Sequence, residues 1–319
     1  MNTEPGAHES PSVEHRGAFG PLPSSEHYHG PIWHFTDSNA LVSMVENRQL
    51  WATAATMLND PEELVYGAKR IAQWYERFGE TLPKDLSLHM QLTQILNDDF
   101  VDSILRKPAY VVCASTDYRV LNQWRNYAST SGVAVSLDSH AELIPADPPM
   151  MSGFIFLPQW VTIAYQPDEQ DHRIHRVLES ITSGLIKPAL DAPDAATANK
   201  LIRGLLAALA ASMKDSAYTE EKEVRLIAYL PEEASPSHRG SSRGVVPYMR
   251  INHYPNFGWE LAGLTGLGDP KAPLPIEEVR VGPPEGESER QRVIGVTSLL
   301  RANGSKARVN GSTIRYLPA

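Results

Sequence analysis

The stretch "SAYTEEKEVRLIAYLP" (Ser216 to Pro231) sets Glu220, Glu221 and Glu223 at the mouth of an apolar strand. Like charges at this spacing repel, and a carboxylate beside an apolar wall is costly to ionise. Either the side chains point into water, or the chain needs carboxylates held there. In an extended segment side chains alternate, so Glu221, Glu223 and Arg225 fall on one face and Val224, Leu226 and Ala228 on the other. Arg225 can neutralise one of the glutamates through a charge-assisted hydrogen bond. A metal-dependent nuclease would want a carboxylate cluster. Glu221, Glu223 and Asp60 are the plausible set, and Arg225 beside them counts against a divalent ion, so no metal site is expected. The bland alternatives are charges that discourage edge pairing at an exposed strand start, or a structural Glu–Arg pair.

Several other residues could do chemistry. His34 lies between Trp33 and Phe35 and is either a ligand contact or a hydrogen-bonded structural histidine. Asn59-Asp60-Pro61-Glu63 reads as a helix start, with Asp60 as N-cap, Pro61 at N1 and Glu63 at N3. Trp124 and Tyr127 share a helix face with Leu121, which suits core packing or stacking on a planar ring. Cys113 is the one cysteine and reads as a small buried hydrophobe. His8, His15, His27 and His29 fall in an aperiodic segment whose spacing does not suit a metal. The chain has no Gly-x-x-x-x-Gly-Lys loop and no His-Glu-x-x-His.

The elements that must position these residues can be read from periodicity. Residues 1–29 are rich in Pro, Gly, Ser, Glu and His and read as a flexible tail, leaving 30–319 as a single domain. Strands are expected at 32–36, "LWATAA", "AYVVCAS", "VAVSLD", "WVTIAYQ", "EVRLIAYL", "GVVPYMRI" and "IEEVRVG". Helices are expected at "SNALVSMVENRQL", "LNDPEELVYGAKRIAQWYERF", "KDLSLHMQLTQILNDDFVDSIL" and "RVLNQWRNYASTSG". Two more lie between Asp171 and Lys214, and another near "ESERQRVIGVTSLLRAN"; "SPSHRGSSRG" reads as a loop, and "KARVNGSTIRYL" as a closing pair. The strands are not separated by single regular helices. The fold class is therefore α+β, with a mixed, bent sheet and helical insertions.

Composition bounds the partners. Of 319 residues 42% are apolar, enough for a sizeable core. Lys and Arg total 29 against 38 Asp and Glu, and a net charge of −9 argues against broad electrostatic binding of nucleic acid or anionic membrane. No run approaches a membrane span and no secretory signal opens the chain, so a cytoplasmic location is expected.

Four motifs carry a resemblance. "WHFTDSNALVSMVENRQLWATAATMLNDPEE", then Ser115 with Trp124, Tyr127 and Gly132, then Tyr218, Glu221, Glu223 and Arg225, and finally "STIRYL" occur in the order and spacing of a bacterial family. Over about residues 31 to 317 the chain resembles the family catalogued as domain of unknown function twenty-nine seventy-one. The late motif usually begins with Trp, where this chain has Tyr218. That family name implies no activity. A more distant similarity of motif order, to ADP-ribosyltransferases, implies one: a His in the first strand before a helix, a Ser-bearing central strand, and a Glu opening a later strand.

On that resemblance NAD would be a substrate, and the enzyme would be an ADP-ribosyltransferase or NAD glycohydrolase. Glu223 would stabilise the positive charge that develops on the ribose, a contribution of roughly 10²–10³ in rate for one preorganised group. Glu221 would act on the acceptor as base or anchor. His34, Thr36, Ser115 and Arg225 would contact the dinucleotide. The acceptor, whether protein, nucleic acid, small molecule or water, is left open. The reading from another class is a non-catalytic interaction module in bacterial defence or stress response; a roomy cleft lined by both motifs separates the two.

Overall fold

In a computed structural model the chain is described at residues 18–19, 27–60, 62–83, 85–97, 99–127, 131–146, 150–151, 154–183, 195–229, 235–241, 244–255, 272–282, 288–312 and 314. The segment 1–29, read as a flexible tail, therefore lies mostly outside the described residues. Within it, the Tyr28 N–H donates to the Trp160 carbonyl at 2.7 Å.

Eleven strands form one sheet. In chain order they are β1 (Trp33–Thr36), β2 (Gln49–Ala54), β3 (Tyr110–Ser115), β4 (Val133–Leu137), β5 (Leu143–Pro145), β6 (Gln159–Thr162), β7 (Glu223–Ala228), β8 (Ser237–Ser241), β9 (Gly244–His253), β10 (Ile276–Val281) and β11 (Arg308–Gly311). The order along the sheet is β8-β9-β2-β3-β1-β4-β10-β11, with β7 joining β3 to β6 and β5 pairing β9. All pairs are antiparallel except β10–β11, so the sheet is mixed and the α+β class holds. Ser237–Ser241, read as loop, is instead an edge strand on β9. A separate small sheet joins Ala18–Phe19, Met150–Met151 and Phe154–Phe156.

Eight α-helices are described: α1 (Ser38–Asn47), α2 (Glu63–Phe78), α3 (Leu86–Ile95), α4 (Phe100–Arg106), α5 (Leu121–Tyr127), α6 (Pro167–Thr182), α7 (Ala195–Ala210) and α8 (Ser288–Ala302). The single helix expected over "KDLSLHMQLTQILNDDFVDSIL" is two, α3 and α4. The Asn97 side chain accepts the Asp99 N–H at 3.1 Å, a local bond that competes with helix continuation. Asp37 caps α1 by accepting the Ala40 N–H, and Asp85 caps α3 from Ser87 and Leu88.

The sheet is packed on both faces. Val111, Val161 and Ile227 join α2, α3, α4, α6 and α7 in one core. Val112, Ala114, Val224 and Leu226 join α1 and α8 in the other. The alternation places Cys113, Glu223 and Arg225 on the first face, with α2 and the end of α7. Gly67 makes that packing possible: a Cβ there would lie 2.2 Å from the Ala210 carbonyl oxygen.

The sheet divides at β3. Strand β7 pairs along the whole of one edge, from Glu223↔Ser115 to Ala228↔Tyr110. On the other edge β2 pairs only at Val111 and Tyr110, while β1 pairs only at Ser115. Between them the His34 imidazole donates its Nδ1 hydrogen to the Cys113 carbonyl at 2.8 Å. A side chain thus stands in the split where a strand would otherwise continue.

Candidate active site

The turn into β7 is built by its own backbone. Asp215 accepts the Ala217 N–H and caps a 3₁₀ turn over Ser216–Glu221. Lys222 then takes a left-handed conformation, φ 47°, and the strand starts at Glu223. The Ser115 hydroxyl donates to the carbonyls of Glu221 (2.9 Å) and Lys222 (3.3 Å), and the Tyr165 hydroxyl accepts the Glu223 N–H at 2.9 Å. Glu221 is therefore not in an extended segment. It reaches the face of Glu223 and Arg225 because the turn folds it back.

Three carboxylates and two cations meet there. Lys214 Nζ lies 2.7 Å from Glu221, 3.3 Å from Glu223 and 3.3 Å from Glu63. Arg225 donates from Nε and Nη2 to the two oxygens of Glu223, at 2.7 and 2.9 Å, and from Nη1 to the Ala211 carbonyl at 2.8 Å. Nη2 also pairs with Glu63. Lys214 itself is presented by the segment after α7, which Gln170 and Arg173 of α6 hold through the Lys214 and Ser212 carbonyls. Glu63, read as N3 behind an Asp60 N-cap, is instead the first residue of α2 and turns inward to this cluster; Glu62 precedes the helix without a side-chain capping bond, and Asp60 accepts the Glu62 N–H at 2.9 Å. The sequence reading missed Glu63 and Lys214 as members. Glu63 precedes Gly67, Ile71 and Trp74 on the inward face of α2, and a charge on an apolar stripe is the signal that could have found it.

The three carboxylates differ. Glu223 accepts both Arg225 donors and the Lys214 ammonium and also hydrogen-bonds the Cys113 thiol. Burial pushes its carboxyl up, but Arg225 and Lys214 outweigh this and hold it down at about 2. Its lone pairs are spent. Among the described residues Glu221 has Lys214 as its one ion-pair partner, and it is the most exposed of the three, at 13% against 5% for the others. Burial raises its carboxyl above the usual range despite the Lys214 hydrogen bond. Arg225 is raised by Glu223 and Glu63 against its burial, and Lys214 likewise, so both stay cationic. Burial and the Glu223 charge raise the Cys113 thiol, which makes it a poor nucleophile.

One cavity opens on this cluster and a second adjoins it. The first, of about 160 Å³, is lined by Glu63, Lys214, Tyr218, Glu221, Glu223 and Arg225 among others. The second, of about 290 Å³, holds His34, Thr36, Trp51 and Arg239. They share Leu58, Asn59, Cys113 and Tyr127, and the Asn59 amide donates to the Tyr127 hydroxyl at the junction. On the rim Tyr218 donates to Asp60 at 3.2 Å, and its ring lies 4.6 Å from Lys214 Nζ. The neutral form of His34 is favoured because burial lowers its pKa. With Nδ1 donating to Cys113, Nε2 is the acceptor nitrogen.

The fold thus gathers Glu221, Glu223 and Arg225 in one cavity and His34 and Thr36 in its neighbour. Ser115 is brought to neither: it is fully buried and its hydroxyl is used on the turn, so it positions Glu221 rather than meeting a ligand. Trp124 is core, with its indole N–H donating to the Tyr118 carbonyl, whereas Tyr127 lines both cavities. Among the described residues no His, Cys, Asp and Glu side chains group in a way that could hold a metal ion.

Residues 123–226 match the family described as "Protein of unknown function (DUF2971)". No curated protein and no solved structure matches the chain. The DUF2971 match runs from α5 to β7 and takes in Tyr127, Lys214, Glu221, Glu223 and Arg225. His34, Asn59 and Glu63 lie outside it. It is shorter than the span over which the motif order is similar, and it carries no activity.

Proposed function

We propose that the two adjoining cavities bind NAD and that the protein cleaves its nicotinamide–ribose bond, passing ADP-ribose to an acceptor or to water. The observation that supports this most is that a neutral His34 and the under-partnered Glu221 line cavities meeting at Asn59, Cys113 and Tyr127. In the reaction the carbon–nitrogen bond breaks with its electron pair leaving on nicotinamide, and the ribosyl carbon becomes cationic. The acceptor or water oxygen then bonds that carbon, and its proton passes to Glu221.

The roles differ from those the motif order implies. Glu221, with lone pairs to spare and a raised proton affinity, faces the reacting carbon or the acceptor. Glu223, saturated by Arg225, Lys214 and Cys113, holds Lys214 in place. Arg225 is a positioning residue, bound to Glu223 and Glu63. His34 Nε2 accepts from a ribose hydroxyl, and Thr36 offers a further hydroxyl contact in the same cavity.

The saturation of Glu223 and Arg225 favours a second reading, a non-catalytic interaction module in which the whole cluster is structural. Calorimetric titration with NAD separates the two. One site is expected, weakened about tenfold or more in His34→Ala, the worth of one buried hydrogen bond. Absence of binding by the wild-type protein supports the interaction module.

A further inference from the structure

Gln123 and Tyr127 stand four residues apart on α5, so they share one helix face, and both line the cavity of about 290 Å³ that holds His34. Gln123 is only 7% exposed. Among the described residues its side-chain amide makes no hydrogen bond, and neither of its polar atoms is fully enclosed by protein. The surface it keeps is on the cavity that it lines. Other polar groups of the same wall are engaged. The Tyr127 hydroxyl accepts from Asn59, the Thr53 hydroxyl accepts from Arg239, and His34 Nδ1 donates to the Cys113 carbonyl. A buried amide left unpaired is destabilising, so a partner that arrives with a ligand accounts for Gln123 where the protein itself does not.

The two cavities suit different parts of a ligand. The smaller is walled by the ionised Glu63, Lys214, Glu223 and Arg225, and an apolar ring there would strip water from charges and return nothing. The larger has apolar walls from Phe35, Met44, Leu50 and Val111, with the Gln123 amide and His34 set among them. Flat walls of this kind with one amide take a planar ring that carries a donor beside an acceptor. A primary carboxamide is the reciprocal group: Gln123 Nε2–H donates to its oxygen, and its N–H donates to Gln123 Oε1.

We propose that Gln123 reads the carboxamide of nicotinamide, with the ring seated in the larger cavity. This rests on the NAD reading above and adds to it the seat of the leaving group and the residue that selects it. Tyr127, one helical turn from Gln123, lies on both cavities. A ring held by Gln123 therefore leaves its ribosyl carbon on the side of Glu221. Gln123 is a specificity-determining residue and takes no part in moving the proton.

Calorimetric titration with NAD and with its 3-acetylpyridine analogue tests this. The analogue keeps the ring, its charge and the carbonyl, and has a methyl group in place of the amide nitrogen. The wild-type protein should prefer NAD about tenfold, because the methyl group leaves Gln123 Oε1 unpaired. Gln123→Met keeps the length of the side chain and removes both ends of its amide. It should weaken NAD about tenfold and bring the two ligands to within about threefold of each other, whereas His34→Ala should weaken both by a similar factor and keep the preference. Binding of NAD without preference by the wild type overturns the assignment and needs no variant. So does an equal loss of both ligands in Gln123→Met, which marks Gln123 as a packing residue or a contact to the adenosine half; in either case the NAD reading survives. No binding of NAD by the wild type overturns both.

Discussion

Glu223 and Glu221 sit two residues apart and obey opposite electrostatics. Glu223 is a buried charge with every partner it can use, and breaking such a network from one side leaves Arg225 and Lys214 under-compensated. Glu223→Gln should therefore cost about 3–5 kcal/mol in chemical denaturation, whereas Glu221→Gln should stay within about 1 kcal/mol of wild type. A reversed order of the two would show that the network is anchored by Glu221. The pH dependence follows from the same contrast. The folded state holds Glu223 down at about 2, against an ordinary 4.5, so its contribution is fully present above about pH 4.5. It is lost as pH falls toward 2. Glu221, raised by burial, acts in the other direction, since protonation relieves its desolvation. Acid unfolding followed by circular dichroism should steepen between pH 4.5 and 2, and the steepening should shrink in Glu223→Gln. An unchanged profile in that variant would contradict the assignment.

At the scale of elements, the site depends on how closely α2 lies against the end of α7. Glu63 starts the one and Lys214 follows the other, so their approach sets whether Lys214 can reach three carboxylates. Gly67 allows it, because any side chain there meets backbone at Ala210, which cannot swing away. Gly67→Ala should destabilise by about 1–3 kcal/mol, read as a lower melting temperature, despite the better helix propensity of alanine. A neutral or stabilising result would mean the helices can slide apart without loss. The split at β3 is the second such device. Strands β1 and β2 take the two ends of one edge, and His34 fills the place between them. That arrangement gives the histidine a structural bond on Nδ1 and leaves Nε2 for the neighbouring cavity.

At the scale of the molecule, most of the architecture is legible in the chain. The alternation of "EVRLIA" and the apolar run of "AYVVCAS" mark two strands, which pair along their whole length, and the helices expected after Asp37 and Lys84 start at caps made by Asp37 and Asp85. What periodicity conceals is side-chain direction at element ends. Asp60 and Glu63 look like one capping box, yet only Asp60 stays on the backbone while Glu63 turns into the core. Ser115 lies where a ligand contact would suit, but the left-handed Lys222 presents carbonyls that take its hydroxyl. Lys214 ends an apolar run from a helix distant in sequence, and only the packing of α7 and α6 brings it to the glutamates. Among the described residues no helix is long and apolar enough to cross a membrane. The measurement closest to the central claim is release of free nicotinamide from NAD by the purified protein and by Glu221→Gln, with and without cell extract as a source of acceptor. Release by the wild type that falls about 10²–10³-fold in a folded Glu221→Gln variant is the predicted result. Release that is equal in the two proteins, or absent under every condition, would contradict it.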